Sequence, residues 1–266
     1  MKKLTPKEMK SVELEMLKKF TDFCDENELK YVLTYGTLLG AIRHNGFIPW
    51  DDDIDVFMPR KDYNKLIQLY IHGKAIEGVN LLYSTKSNKY CYPFAKLSDS
   101  KTTAKMQSNV TKHGIWIDVF PVDKIIEDKE TARKYQKFMI FLRNVLISYT
   151  TDFKHRKFDK KTIPKFVLFI LSHIVGGKKL VNYADKKAQK YNESNSNCVC
   201  HNAWQAVLGG IFTEQELNDR IRHSFEKYEF YIPRCYDKLL RSWYGDYMKM
   251  PPENKRIGHD LIVYWK

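Results

Sequence analysis

The sequence predicts an α/β fold in which a mixed sheet is flanked by helices and is followed by a mostly helical C-terminal part. Helix and strand patterns alternate up to about residue 125 of the 266 residues, as expected for a sheet with helices on its faces. The composition is 43% hydrophobic and 14% aromatic, which supplies a sizeable core and argues against disorder. We therefore divide the chain into residues 1–125 and 126–266.

The first region begins with a predicted amphipathic helix over residues 6–27. Thr5 and Glu8 form a capping-box pattern around Pro6, and apolar residues then recur at steps of three and four. A strand is predicted at residues 31–35, and a helix follows it. The other elements predicted before residue 125 are an acidic strand near 53–58, a helix over 60–70, and strands over 79–83, 92–97 and 114–120.

The second region is predicted mainly from helical periodicity. Apolar residues at helical steps predict a helix over residues 130–149, and an apolar run covers 163–175. A second capping-box pattern starts at Phe212. Alternation of apolar and polar residues predicts a strand over 225–232, and Pro233 is predicted to open another helix.

The strongest chemical signal is the acidic run at residues 51–55. On an extended strand, Asp51, Asp53 and Asp55 share one face, with about 7 Å between the Cα atoms of neighbours. Carboxylates this close repel each other and raise at least one pKa unless a cation lies between them. Ligand sets made only of oxygen suit Mg²⁺ or Mn²⁺. A solvated acidic turn is the alternative, but the apolar residues interleaved with the run favour a strand with a metal site.

A Gly-Thr pair between the first strand and the following helix is a candidate phosphate site. Gly36 allows the backbone to approach a phosphate closely, and the hydroxyl of Thr37 can donate to one. A plain helix cap is the alternative. The acidic strand about fifteen residues downstream favours the phosphate site.

Asp118 lies inside an otherwise apolar predicted strand. It shares a face with Trp116 and Phe120. A buried carboxylate is costly unless it is paired or bound to a metal. The residues alone leave two readings open: a member of the acidic site, or a structural carboxylate that caps a loop or pairs with a buried cation.

Four segments together resemble the LicD family, whose members transfer phosphocholine or a similar phospho-alcohol from a CDP-linked donor to a glycan. They are residues 35–55 (YGTLLGAIRHNGFIPWDDDID), 115–123 (IWIDVFPVD), 243–248 (WYGDYM), and 251–256 (PPENKR) with His259. Fukutin-type proteins belong to the same wider group, which shares the nucleotidyltransferase fold of polymerase β. The resemblance implies that residues 1–125 form a nucleotidyltransferase-like catalytic core. It also implies that residues 126–266 pack on this core and complete the substrate site.

The resemblance also implies roles for particular residues. Asp53, Asp55 and Asp118 would be the catalytic carboxylates and would hold Mg²⁺ or Mn²⁺, with Asp118 either a ligand or the base for the acceptor hydroxyl. Residues expected to contact the donor are Gly36, Thr37, Arg43, His44, Lys96, Lys255, Arg256 and His259. The alternatives stay open: a solvated helix end for Arg43 and His44, a surface lysine for Lys96, and a helix cap for the C-terminal three.

The charge is strongly basic, and much of it is concentrated in one segment. The net charge is +13, and residues 154–187 hold ten Lys or Arg and two Asp. This segment contains the apolar run 163–175, which is too short to span a bilayer. It is predicted to be either an interfacial anchor on anionic lipid or a core helix with solvated basic flanks. No recognition motif for nucleic acid is found, so no specific nucleic-acid partner is expected.

The sequence predicts a cytoplasmic protein, with peripheral association at the inner face of the membrane. No signal peptide is visible at the N-terminus, and the five cysteines are odd in number and scattered. The expected function is transfer of phosphocholine, or a related phospho-alcohol, from CDP-choline or a similar donor to a hydroxyl of a lipid-linked or polymeric cell-surface glycan, releasing CMP. The alternatives are a nucleotidyltransferase that attacks the α-phosphate of an NTP, and a non-catalytic protein that binds nucleotides or polyanions.

Overall fold

The computed structural model describes residues 1–85, 90–106, 113–151, 162–256, 258 and 261–266. The α-helices are α1 Pro6–Glu26, α2 Tyr35–His44, α3 Arg60–Ile71, α4 Lys129–Thr150, α5 Thr162–Val175, α6 Gly177–Ala188, α7 Glu214–Asn218 and α8 Tyr236–Tyr244. The strands are β1 Val32–Leu33, β2 Ile54–Pro59, β3 Val79–Leu82, β4 Ala95–Asp99, β5 Thr102–Met106, β6 Trp116–Lys124, β7 Cys198–Cys200, β8 Phe212–Thr213, β9 Arg220–Phe225, β10 Tyr228–Pro233 and β11 Leu261–Trp265.

The predicted mixed sheet flanked by helices is confirmed. Its strand order is β1-β2-β6-β4-β3, and β7 and β8 extend it from the far end of β6. β2 and β6 run parallel, whereas the other pairs are antiparallel. Two separate strand pairs, β9 with β10 and β5 with β11, lie outside this sheet.

The acidic run enters the sheet later than predicted. β2 begins at Ile54, and residues 51–53 precede it without regular structure. The alternation argument therefore applies to Asp55 but not to Asp51 or Asp53. Ile54 and Val56 are fully buried on the opposite face, as the pattern of the strand predicts.

Two other boundaries predicted near prolines were wrong. β6 runs through Pro121, which is the register partner of Met58 on the parallel strand β2. On the other side of β6, pairing with β4 ends at Val119 and pairing with β7 starts at Asp123, so neither of these strands needs the N–H that proline lacks. The last helix begins after Cys235 rather than at Pro233, which ends β10.

The single strand predicted over residues 225–232 is a hairpin. Phe225 on β9 faces Tyr228 on β10, and the two residues between them form the turn. Glu226 adopts a left-handed conformation with φ of 54°. Sequence patterns miss this turn because it lacks the Asn or Gly that usually marks one.

The loop that carries the acidic run packs closely on α2. A Cβ on Gly40 would lie 2.4 Å from the carbonyl oxygen of Gly46, so only glycine allows this approach. Asn45 ends α2 in a left-handed conformation with φ of 52°. The loop is thereby directed back along the helix, which brings Asp51 over the first turn of α2 at Gly36.

The region after residue 125 is joined to the sheet by a buried charge network. The guanidinium of Arg60 on α3 donates to Asp123 at 2.6 Å and to Asp185 on α6 at 3.0 Å. The side chain of Asp123 is fully buried. β7, which belongs to the second region, pairs with the end of β6, so the sheet continues past residue 125. The domain boundary at residue 125 remains a prediction.

Candidate active site

Two pockets meet at the acidic segment. Tyr35, Asp53, Asp55 and Tyr244 line both of them. The first, here called the aromatic pocket, has a volume of about 390 Å³. Its other walls are Tyr92, Phe94, Lys96, His113, Trp116, Asp118, Phe120, Arg143, His201, Trp204 and Ala206. The second, here called the α2 pocket, has a volume of about 440 Å³ and includes Gly36, Arg43, Trp50 and Asp51.

Three charged residues form a row across neighbouring strands on the floor of the aromatic pocket. Asp55 on β2 is the register partner of Asp118 on β6, which is the partner of Lys96 on β4. Directly paired residues on neighbouring strands point to the same face, about 5 Å apart. The predicted carboxylates Asp53, Asp55 and Asp118 therefore line one cavity.

Lys96 is part of this row and is not a surface lysine. Its ammonium donates a hydrogen bond to Oδ1 of Asp118, and only 6% of the residue is exposed. The same ammonium lies 4.6 Å from the ring centre of Trp116 and 5.3 Å from that of Phe94. The buried-cation partner that the sequence left open for Asp118 is thus Lys96.

The surroundings of the Asp55 carboxyl group disfavour its ionised form. Burial raises its pKa well above the ordinary value, and the neighbouring charges of Asp53 and Asp118 raise it further. Its backbone N–H donates to the hydroxyl of Thr37 at 2.8 Å, which ties β2 to the start of α2. The hydroxyl of Thr37 therefore accepts a hydrogen bond from Asp55, and its contact with a donor phosphate stays a prediction.

The site contains the donor atoms that a hard divalent cation prefers. Three carboxylates line one cavity, and burial with the charges of Asp53 and Asp118 raises the pKa of Asp55 despite the opposing charge of Lys96. Oxygen ligands of this type fit Mg²⁺ or Mn²⁺. In the part of the chain that the structure describes, no three His, Cys, Asp or Glu side chains already stand in a ligating arrangement. The carboxylate set fits the ion, and the metal itself remains a proposal.

Gly36 and Arg43, two other residues predicted from the first motif, line the α2 pocket, whereas His44 does not. A Cβ on Gly36 would lie 2.5 Å from a carboxylate oxygen of Asp51, so this carboxylate occupies the space beside the glycine. Arg43 donates to the backbone carbonyl of Tyr247 at 2.7 Å and lines the pocket. His44 lies beside the ring of Trp50, and burial lowers its pKa. Their contacts with the donor stay predictions.

The C-terminal residues predicted to contact the donor, Lys255 and Arg256, line neither pocket. Lys255 is in a short 3₁₀ helix. Arg256 donates to the carbonyl of Pro251 at 2.9 Å, and its guanidinium lies 5.5 Å from the ring centre of Trp50. His259 lies outside the described residues.

Sequence reasoning missed three residues that wall the aromatic pocket from the second region. They are Arg143 on α4, and His201 and Trp204 after β7. Arg143 carried a readable signal, because it lies four residues after buried Met139 and three before buried Leu146. A charged residue on the apolar face of a helix is a candidate for function. His201 and Trp204 lie in a short irregular segment, which has no periodicity to read.

His201 is held by a strained tyrosine. The hydroxyl of Tyr35 lies 2.9 Å from Nδ1 of His201, and burial lowers the pKa of the imidazole to about 3, so the ring is neutral at pH 7. Tyr35 itself has a φ of 44°, which is unusual for a bulky residue. Such outliers are costly and cluster at functional sites. The contact between Tyr35 and His201 in the wall of the pocket therefore requires an unfavourable backbone conformation at Tyr35.

Comparisons with known proteins show the family to which the chain belongs. The family model described as "LicD/FKTN/FKRP, nucleotidyltransferase domain" matches residues 28–168. The chain is 30% identical, over 98% of both chains, to the lipopolysaccharide cholinephosphotransferase LicD of Haemophilus influenzae. An uncharacterized protein of Rickettsia typhi is 41% identical over 31% of this chain and 25% of its own length. The family match spans more than half of the chain and includes the charged row and Arg143, and this protein therefore belongs to the LicD family of transferases.

Proposed function

We propose that the protein transfers phosphocholine from CDP-choline to a hydroxyl of a lipopolysaccharide or related cell-surface glycan and releases CMP. The main observation behind this proposal is the match, along 98% of both chains, to a relative named as a lipopolysaccharide cholinephosphotransferase. The charged row in the aromatic pocket supports this function, because the predicted carboxylates lie together in one cavity of suitable size for a small phosphate ester.

Asp53, Asp55 and Asp118 would hold Mg²⁺ or Mn²⁺. Such an ion supplies positive charge that neutralises the phosphate oxygens and polarises the phosphorus. The raised pKa of Asp55 supports this assignment, because a bound cation would favour the ionised carboxylate.

The remaining chemistry falls to the side chains of the row. The acceptor hydroxyl attacks the phosphorus that carries choline, a new P–O bond forms, and the P–O bond to CMP breaks. Where Asp118 does not bind the ion, it would accept the proton of the hydroxyl. Lys96 lies beside it and is placed to donate to a phosphate oxygen as the charge shifts to the leaving CMP.

Consumption of activated donors tests this proposal. With Mg²⁺ or Mn²⁺ present, we expect the protein to consume CDP-choline in preference to CDP-ethanolamine, CDP-glycerol, CDP-ribitol and NTPs, and to release CMP. Product analysis by chromatography distinguishes the two transferase alternatives. Release of pyrophosphate from an NTP, with CDP-choline left intact, would contradict the proposal and favour a nucleotidyltransferase.

An exposed apolar stripe on α5 supports the proposed contact with anionic membranes. The stripe follows helical steps of three and four, and its residues are 45–76% exposed: Ile163, Phe166, Val167, Ile170, Leu171 and Ile174. Phe141 on the neighbouring helix α4 is also exposed. The stripe does not lie in the core, and the surrounding segment 154–187 is strongly basic. Among the described residues, no helix is long and apolar enough to cross a membrane.

Charge complementarity favours an anionic lipid surface as the partner of this stripe. A helix with an apolar face and basic neighbours lies in the membrane interface. Residues 152–161, which contribute Lys154, Arg156, Lys157, Lys160 and Lys161, lie outside the described residues. α4 also carries Arg143 on the wall of the aromatic pocket, so docking here would place the pocket near a lipid-linked acceptor at the cytoplasmic face of the membrane.

Sedimentation with liposomes tests the membrane proposal. We expect binding to vesicles that contain anionic lipid, weakening steeply as salt rises, since the Debye length is about 10 Å at 0.1 M salt. Ile170→Asn with Ile174→Asn should abolish it because both remove exposed apolar area. Ile71→Asn on α3, which changes an isoleucine that is also 55% exposed, should have no effect. Equal binding to neutral and anionic vesicles, binding to neither, or a dimer that the double variant dissociates would contradict the proposal.

A further inference from the structure

Three residues that line the aromatic pocket each have a buried side-chain nitrogen without a hydrogen-bond partner among the described residues. These nitrogens are Nε1 of Trp116, Nε of Arg143 and Nε2 of His201. His201 is neutral, and Nε2 carries the ring proton when Nδ1 accepts from the hydroxyl of Tyr35. Buried polar groups are almost always paired, so unpaired nitrogens on three residues around one cavity point to a polar ligand.

The unpaired guanidinium of Arg143 indicates that this ligand is negatively charged. Its side chain is half-buried, and burial lowers the pKa of its guanidinium, as expected for a cation without a nearby carboxylate. No hydrogen bond or ion pair of Arg143 is found with any residue in the described ranges; its recorded contact is with the ring of Trp204, 5.2 Å from the guanidinium. Buried charges are normally compensated, and the planar guanidinium suits phosphate in particular.

The pocket is unsuited to the quaternary ammonium end of the donor. Aromatic faces bind such cations when they are free. Here the Lys96 ammonium lies over the rings of Tyr92, Phe94 and Trp116, and the Arg143 guanidinium lies over Trp204. These two cations already cover the ring faces, and the guanidinium of Arg143 is left to attract phosphate oxygens.

We propose that the guanidinium of Arg143 binds the phosphate oxygens of the donor in the aromatic pocket, which the carboxylates of the charged row also line. This rests on the proposed function for the identity of the donor. The phosphate class follows from the guanidinium, a planar cation that is unpaired among the described residues and lines the same cavity as Asp55 and Asp118. A residue of the second region thereby contacts the substrate directly.

The test compares Arg143→Met and Arg143→Lys with Arg133→Met, which changes an exposed arginine on the same helix. Calorimetry measures binding of inorganic pyrophosphate with Mg²⁺, and steady-state kinetics measures KM for CDP-choline. Hydrogen bonds to charged groups are the strong ones, so R143M should weaken pyrophosphate binding and raise KM by roughly ten- to a hundredfold. R143K should lie between R143M and the wild type because it keeps the charge but loses the planar fork. R133M should match the wild type.

Thermal unfolding without ligand separates a binding role from a structural one. R143M should unfold at the same or a higher temperature, because it removes an uncompensated cation and keeps most of the packing. A lower unfolding temperature, with unchanged pyrophosphate affinity per folded molecule, would overturn the proposal. Tighter binding of choline chloride to R143M than to the wild type would also overturn it, by assigning the pocket to the cation.

The result also distinguishes this inference from the function on which it rests. If the wild type does not consume CDP-choline while R143M still loses pyrophosphate binding, the phosphate role of Arg143 stands and the proposed donor is wrong. If CDP-choline is consumed and R143M has an unchanged KM, the donor is right and the role of Arg143 is wrong.

Discussion

Replacement of Asp55 by Asn is expected to lower turnover by at least about a hundredfold while the metal-free protein becomes no less stable. Charge stabilisation by a metal is worth several kcal/mol, and each ~1.4 kcal/mol is tenfold in rate. Asn keeps the shape of the side chain but removes the charge that would hold the ion. Asp55 lines both pockets. Its replacement should therefore impair the reaction whichever of the two pockets binds the phosphates of the donor.

The stability expectation follows from the direction of the pKa shift. The pKa of Asp55 is raised in the folded protein from the ordinary 3.8. The folded state then holds a proton that the unfolded chain has released, so stability falls as pH rises from about 3.8 towards the raised value. Asn carries no such charge. At pH 7 with EDTA, D55N should therefore unfold at the same or a higher temperature than the wild type.

Thermal unfolding with and without Mg²⁺, alongside turnover, checks both parts of this prediction. Mg²⁺ should raise the unfolding temperature of the wild type but not that of D55N, because ligands stabilise the state that binds them. Asp52→Asn is the matched control, since Asp52 belongs to the same acidic run but lines neither pocket. Near-normal turnover in folded D55N, or full wild-type activity in EDTA, would contradict the metal assignment.

Replacement of Asp118 by Asn is expected to abolish turnover and also to destabilise the protein. The ammonium of Lys96 is buried with Asp118, and breaking a buried pair leaves an uncompensated charge at a cost of about 3–5 kcal/mol. We expect a cost at the lower end of this range, because the carboxylate of Asp55 also interacts with the charge of Lys96 and would compensate part of it after Asp118 is lost. Lys96→Met should likewise lower both activity and stability.

The double variant separates the structural part of this pair from the chemical part. K96M with D118N removes both charges, so most of the stability should return while turnover remains lost. The exposed pair Lys18–Asp22 on α1 provides a control cycle, with an expected coupling of only about 0.3–0.5 kcal/mol. Recovery of turnover in the double variant, or unchanged stability in both single variants, would refute the dual role of Asp118.

The sequence was most informative where chemistry and local pattern coincide. Asp55 and Asp118 were predicted from carboxylates within apolar strands, and both line the same cavity. The pairing of Asp118 with Lys96 was not predictable, because it depends on β4 lying next to β6, with a register that no local pattern encodes. Asp53 lies before the strand rather than on it, since the chain enters β2 only at Ile54.

The residues contributed by the second region show a different limit. Arg143 reaches the pocket because α4 packs with its apolar face inward, and the charged position on that face could have been read from the helical steps. His201 and Trp204 depend on how the segment after β7 folds against the sheet. Long-range packing of this kind leaves no periodic trace, so the structure was needed to place them.

The fate of the two halves of the donor tests the central claim most directly. CDP-choline labelled in both choline and cytidine is incubated with the protein, Mg²⁺ and a lipopolysaccharide acceptor that lacks phosphocholine, with D55N as the inactive control. The account predicts that the choline label appears in the glycan in equal amount to the cytidine label released as CMP. Transfer of the cytidine label to the acceptor, or release of CMP with free phosphocholine and no labelled glycan, would contradict it.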